Sequence, residues 1–311
     1  MKLAMVFPGQ GSQAVGMLDA YAGLPEIDAV LSEAGAVLGA DFVRMLGEGP
    51  AEALNMTVNT QPAMVTAGYA VYRAWRALGG PAPLLVAGHS LGEYTALVAA
   101  GSISFRDCLP LVRFRAQAMQ QAVPEGRGAM AAILNLDDDA VRAACEEAAR
   151  GEIVQAVNFN APGQVVIAGH KDAVQRAMEA CKAKGAKRAL LLPVSAPFHS
   201  SLMQPAAKKL REYLEGVNVV APEVDLINNV NVKSERSEAA IRDALVAQAA
   251  SPVRWVETIR TMAAMGVTHV VECGPGKVLA GLTRRIDAGL QGLALADRAS
   301  LEQVIATVKG V

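Results

Sequence analysis

Gly88-His89-Ser90-Leu91-Gly92 sets a serine between two glycines in the spacing G-x-S-x-G, the pattern of a nucleophile elbow. In such a strand-to-helix turn the serine oxygen is pushed out at a helix N-terminus. Free backbone N–H groups and the helix dipole there favour developing negative charge. Side chains two residues to either side would collide, and glycine at 88 and 92 removes the collision. Ser90 is therefore the candidate nucleophile. A nucleophilic serine needs a base, and the chain offers four histidines. His89 adjoins Ser90 and should point away from it. His170 ends a strand-like run, and His269 stands in the middle of an apolar one, where packing explains it. His199 follows Pro197 in a loop, where sites occur more often than in core strands. Spacing makes His199 the favourite base without deciding the matter.

These residues need elements to position them. Pro83–Ala87 reads as a short buried strand before the elbow, and Leu91–Ala100 as the helix after it, stopping near Gly101. Residues 2–7 read as a first buried strand running into the loop Pro8-Gly9-Gln10-Gly11. Gly9-x-Gly11-x-x-Ala14 loosely resembles a dinucleotide fingerprint. The stretch from Ile27 to Leu38 has helical spacing, where that fingerprint requires a second strand and an acid. The loop is better read as backbone that can approach a ligand closely. Thr60-Gln61-Pro62 is expected to open a long helix, with Pro62 in its first turn. Phe105–Ala122 reads as an amphipathic helix placing Arg115 and Met119 on one face. Between residues 126 and 196 the order β-α-β-β-α-β predicts a ferredoxin-like unit. We expect an α/β fold: an α/β-hydrolase-like large domain (1–125 and 197–311) with this small subdomain (126–196) inserted. Gly274-Pro275-Gly276-Lys277 lacks the flanking residues of a P-loop. A closing helix should be capped by a box from Ser300 to Gln303.

Composition bounds the function. The chain has 311 residues, 52% hydrophobic but only 4% aromatic, with a formal net charge of -1. Near-neutrality argues against bulk attraction to nucleic acid or to an anionic membrane. The four cysteines show no C-x-x-C spacing, which argues against a zinc site or disulfide framework and suits a reducing compartment. The N-terminal apolar run is too short for a signal peptide, and no run is long enough to span a bilayer. The expectation is a soluble cytoplasmic protein.

Several motifs recur together in one family: Phe7-Pro8-Gly9-Gln10-Gly11-Ser12-Gln13, Gly88-His89-Ser90-Leu91-Gly92-Glu93, Ala161-Pro162-Gly163-Gln164, Pro197-Phe198-His199 and Glu272-x-Gly274-Pro275-Gly276. In this order, and over essentially the whole length, the chain resembles the malonyl-CoA:acyl-carrier-protein transacylases of bacterial type II fatty acid synthesis. The resemblance implies a Ser90–His199 dyad without an acidic third member, the histidine being oriented by the backbone carbonyl of Gln248. It implies an oxyanion hole from the backbone N–H groups of Gln10 and Leu91, and an arginine, Arg115, that grips the malonyl carboxylate. Taken alone, Arg115 would read as a surface arginine. Phe198 resembles the bulky residue of malonyl-selective members. Met119, Met130 and Leu91 are candidates for the acyl pocket, and Glu93 for complementing the helix dipole. The implied reaction passes malonyl from malonyl-CoA to acyl carrier protein through malonyl-Ser90, with no metal or redox cofactor required. The competing readings are a serine hydrolase, a related polyketide acyltransferase and a non-catalytic carrier-binding module. Basic residues at 184, 187, 188, 208, 209 and 211 are candidates to face an acidic carrier.

Overall fold

The computed structural model describes residues 1–194 and 196–310. The chain opens with β1 (Leu3–Phe7), every residue of it buried, followed by α1 (Pro25–Leu38), α2 (Ala40–Glu48), α3 (Ala51–Asn55) and α4 (Thr57–Ala77). The elbow strand β2 (Leu85–Gly88) leads into α5 (Gly92–Ala99), and α6 (Phe105–Gln121) follows behind an N-cap at Ser104. Next come β3 (Gly128–Leu134), α7 (Asp138–Ala149), β4 (Val154–Ala161), β5 (Gln164–His170), α8 (Lys171–Ala183) and β6 (Arg188–Leu191). The chain finishes with α9 (Gln204–Leu214), β7 (Asp225–Ile227), α10 (Glu238–Ala249), α11 (Trp255–Ala264), β8 (His269–Cys273), α12 (Val278–Ile286), β9 (Gln291–Leu295) and α13 (Arg298–Lys309).

Two sheets result. The larger is parallel, in the order β7-β2-β1-β8-β9. Its strands are short and apolar because both faces are covered by helices. One face packs into a core with Trp75, Tyr94, Leu97 and Leu109, and the other into one with Trp255, Ile259 and Leu282. The register decides where a site can form. Phe7 lies opposite Gly88, Val6 opposite Glu272, and Ala87 opposite Ile227. The loops after β1, β2, β7 and β8 therefore leave from one edge, the carboxyl end of a parallel sheet, where open α/β folds bind ligands.

The smaller sheet is antiparallel, in the order β4-β5-β3-β6. Together with α7 and α8 it reproduces the expected β-α-β-β-α-β unit, with its own core of Ile133, Val141, Val165, Ile167 and Val174. Backbone bonds tie it to the larger part: Val253 N–H donates to Val157 O at 2.8 Å and Phe159 N–H to Val253 O at 3.0 Å. A further apolar cluster, including Met119, Met130, Val157, Phe198 and Met203, fills the seam between the two sheets. No helix among the described residues is long and apolar enough to cross a membrane.

The structure departs from expectation at several points. α4 begins at Thr57, a turn before Thr60, so Pro62 lies inside the helix and not in its first turn. Every residue from Thr60 to Gly68 is buried, and packing outweighs the local penalty. The box on α13 is built by Asp297 as N-cap with Ser300 as its third helical residue, so Ser300 is the reciprocating member and not the cap. His269 starts β8 and is not central in it, its Nδ1 within 2.8 Å of Thr268 Oγ1. Helices α2, α3 and α11 are short or weakly punctuated, and the sequence reading did not assign them.

Candidate active site

The elbow is as tight as the glycine spacing requires. A Cβ placed on Gly88 would sit 1.8 Å from the carbonyl carbon of Gly92, and one on Gly92 would sit 2.0 Å from the carbonyl oxygen of Phe7. The first glycine permits the turn itself; the second lets the new helix pass the end of β1. Ser90 takes φ of +51°, in the left-handed region, the strained conformation that lifts its hydroxyl clear of the chain.

Ser90 Oγ lies 2.7 Å from His199 Nε2. The other ring nitrogen, Nδ1, lies 2.9 Å from the backbone carbonyl of Gln248. A carbonyl only accepts, so Nδ1 carries the proton and Nε2 presents its lone pair to the serine hydroxyl. His199 also has a positive φ, +66°, and is buried. Burial, and next the nearby Arg115 charge, hold its pKa down to about 3. The imidazole is thus neutral at physiological pH, the form a general base needs. The other histidines are elsewhere engaged. His89 Nε2 meets Asn160 Oδ1 at 2.7 Å, away from Ser90. His170 Nδ1 accepts from Ile153 N–H at 2.9 Å.

Arg115, which by itself reads as a surface residue, is 2% exposed. Its Nη1 donates to Gln61 Oε1 at 2.9 Å, and its Nη2 to Gln248 Oε1 at 2.9 Å and to Ser90 Oγ at 3.3 Å. Its guanidinium carbon lies 5.2 Å from the centroid of the Tyr94 ring. None of these partners is a carboxylate within ion-pair distance among the described residues, and Nε has no partner. A buried cation supported by neutral oxygens and an aromatic face favours an incoming anion.

Ser90, His199 and Arg115 open onto a cleft of about 130 Å³ between the two sheets, also lined by Gln10, Gln61, Met119, Met130, Asn158, Leu192, Val194 and Phe198. The structure therefore brings together Ser90, His199, Arg115, Gln10, Met119, Met130 and Phe198. The side chain of Leu91 is not at the cleft; it is buried in the core of the larger sheet, so only its backbone faces the serine. The backbone N–H groups of Gln10 and Leu91 have no acceptor among the described residues. Gln248 stands behind the cleft with no exposure.

A family model for the acyl transferase domain matches residues 4–305. The chain belongs to the acyl transferase domain family. Its relatives include the malonyl CoA-acyl carrier protein transacylase of Escherichia coli K12, 57% identical over 94% of this chain and 96% of that protein. The Bacillus subtilis protein of the same name is 44% identical over 99% and 98%. Among solved structures, an acyl-carrier-protein S-malonyltransferase from Burkholderia pseudomallei is 63% identical, with a TM-score of 0.97 over 98% of this chain and 99% of that one. A malonyl-transacylase in complex with its type II PKS acyl-carrier protein is 51% identical, with a TM-score of 0.97 over the full length of both.

Some polar residues of this acyltransferase site escaped the sequence reading. Gln61 is a glutamine on a buried helix face, Asn229 closes a pair of asparagines after β7, and Asn158 and Asn160 lie on β4. Glu93 is not a solvated partner for the helix dipole. It is 1% exposed, in a helix buried almost all round. That last feature was readable: an acid inside LGEYTALVAA has no polar face to occupy.

Proposed function

We propose that the chain transfers malonyl from malonyl-CoA to the phosphopantetheine thiol of acyl carrier protein, supplying malonyl carrier for fatty acid synthesis. The observation that carries this reading is one hydroxyl with two neighbours: Ser90 Oγ is 2.7 Å from a neutral imidazole nitrogen and 3.3 Å from a buried guanidinium. A nucleophile with its base beside a buried cation that has no carboxylate in direct contact among the described residues suits a substrate carrying a thioester and a carboxylate. The names of the relatives, and the carrier complex of one of them, support the same assignment.

The chemistry follows from the parts. Arg115 receives the malonyl carboxylate and so fixes the thioester carbonyl over Ser90. Ser90 Oγ attacks that carbonyl as His199 Nε2 takes its proton. The oxyanion is stabilised by the backbone N–H groups of Gln10 and Leu91. Collapse of the intermediate breaks the carbon–sulfur bond, and CoA leaves as a thiol with the proton from His199. The carrier thiol then gives its proton to His199 and attacks the ester; the bond from Ser90 Oγ to the acyl carbon breaks, and His199 returns the proton to Oγ. Gln248 holds the imidazole in the reactive tautomer, while Met119, Met130 and Phe198 form the apolar wall around the acyl chain.

The small unit at 126–196 is read as an insertion into the catalytic part at 1–125 and 197–311, with Met130 and Asn158 of the insertion lining the cleft. Four buried free cysteines suit a cytoplasmic location. A hydrolase reading would share the Ser90–His199 pair; a carboxylate-binding arginine and a carrier-bound relative favour transfer. The test is incubation with malonyl-CoA and mass spectrometry for malonyl on Ser90. The expected adduct discharges to carrier thiol faster than to water, and a folded Ser90→Ala protein forms none. Transfer by that variant at the wild-type rate would overturn the reading.

A further inference from the structure

The first turn of α5 carries a buried carboxyl that the mechanism above does not use. Glu93 Oε2 accepts from the backbone N–H of Asn229 at 2.9 Å and from Gln248 Nε2 at 3.0 Å. Those two residues also bind the backbone of the elbow. Asn229 Oδ1 accepts from Ser90 N–H at 2.7 Å, and its Nδ2 donates to Gly88 O at 2.7 Å. Gln248 Nε2 donates also to Ser90 O at 2.9 Å, so both of its N–H groups are committed. The same residue accepts from Arg115 at its side chain and from His199 at its carbonyl. A strained serine backbone persists only where its surroundings over-determine it, and here both of its peptide groups are bound.

We propose that Glu93 is a positioning residue: its carboxyl locks Asn229 and Gln248 onto the elbow, holding Ser90, His199 and Arg115 in one geometry. The proposal rests on the assignment of Ser90 as nucleophile and His199 as its base. Its physical content is a bond pattern, two donors converging on one oxygen, and not a charge. An amide carbonyl at the same place accepts the same two bonds. Burial fits this, pushing the carboxyl up to about 7 against the pull of its two donors and of Arg115. A shorter aspartate cannot reach both donors, and alanine leaves both unpaired in the interior.

The experiment measures Ser90 acylation by rapid quench with malonyl-CoA and acetyl-CoA, in wild type and in Glu93→Gln, Glu93→Asp and Glu93→Ala, each checked for folding by circular dichroism. Glu93→Gln should keep the acylation rate within about fivefold of wild type. Glu93→Asp and Glu93→Ala should lose about a hundredfold, the scale of an ångström-sized misplacement of reacting groups. The loss should fall on both thioesters and on the acylation step. Should Glu93→Ala fail to fold, the contrast between Glu93→Gln and Glu93→Asp still decides. A folded Glu93→Ala or Glu93→Asp that acylates at the wild-type rate, or a Glu93→Gln as slow as Glu93→Asp, overturns the proposal. Wild type that is never acylated at Ser90 overturns the site assignment instead, and the two failures are thereby distinct.

Discussion

The proposed preference for malonyl rests on Arg115, a cation buried beside Ser90 with no carboxylate in ion-pair contact among the described residues. Leaving one side of a buried charge pair alone costs about 2–5 kcal/mol. At 1.4 kcal/mol per tenfold, Arg115→Ala should lower kcat/KM for malonyl-CoA by roughly thirty- to several-thousand-fold. Acetyl-CoA, which strands no carboxylate, should lose far less. Lysine should restore only part, since a point charge cannot supply two parallel bonds. Steady-state kinetics on both thioesters checks this; equal losses would mean that Arg115 only supports the structure. The same charge acts on the base. His199 is held down to about 3 by burial and then by Arg115, and kcat/KM reports the free enzyme. Its pH profile should therefore stay flat through 6.5 down to pH 5, and the acid limb should move upward in Arg115→Ala. A wild-type midpoint near 6.5 would contradict the burial argument. The linked effect on stability has a definite sign. The folded pKa is depressed, so between 6.5 and about 3 the unfolded chain binds the extra proton. This contribution is complete above pH 6.5 and is lost as pH falls toward 3.

The elbow and its neighbours are matters of elements, and their constraint is steric. A Cβ at Gly88 meets backbone atoms at 1.8 to 2.2 Å, and backbone there cannot step aside. Gly88→Ala should prevent folding or cost several times what an ordinary surface change costs. Gly11, unlike Gly88, has a positive φ, +106°, but nothing lies within 4 Å of its Cβ position. Gly11→Ala should therefore cost only the backbone term, about 1–3 kcal/mol. Thermal denaturation of the two variants side by side is the check, and equal shifts would refute the steric account. The cap on α13 offers a control far from the chemistry. Asp297 accepts from Ser300 N–H at 2.7 Å, and Asp297→Ala should cost about 1 kcal/mol of stability while leaving the acylation rate of the folded protein alone.

At the scale of the molecule, the cleft exists because two sheets with separate cores meet across an apolar seam. One polar contact in that seam starts from the elbow itself: His89 Nε2 to Asn160 Oδ1 at 2.7 Å. Asn160→Ala leaves that ring nitrogen unpaired, an expected cost of about 1–3 kcal/mol in chemical denaturation. An unchanged denaturation midpoint would show that the seam does not depend on it. Among the basic residues proposed to meet an acidic carrier, Lys184 is paired with Glu147 and Arg211 with Asp243.

Much of this protein could be read without coordinates wherever the constraint is local. The glycines at 88 and 92 predict the elbow because backbone sterics act over five residues. The alternation of apolar strands and punctuated helices predicts the small unit because each of its elements carries its own period. Family motifs pointed to His199, Arg115 and Gln248, which spacing could not connect. Tertiary structure alone decided which polar side chains are buried and what they face. Arg115 changes from an ordinary surface residue to a buried cation because α6 packs against α4, and Gln61 of α4 and Gln248 of α10 accept its N–H groups. Glu93, an acid in the first turn of α5, is buried with a backbone partner because Asn229, 136 positions later, arrives at the end of a neighbouring strand. Burial and hydrogen-bond partnership belong to pairs of residues distant in the chain, and no local period encodes them.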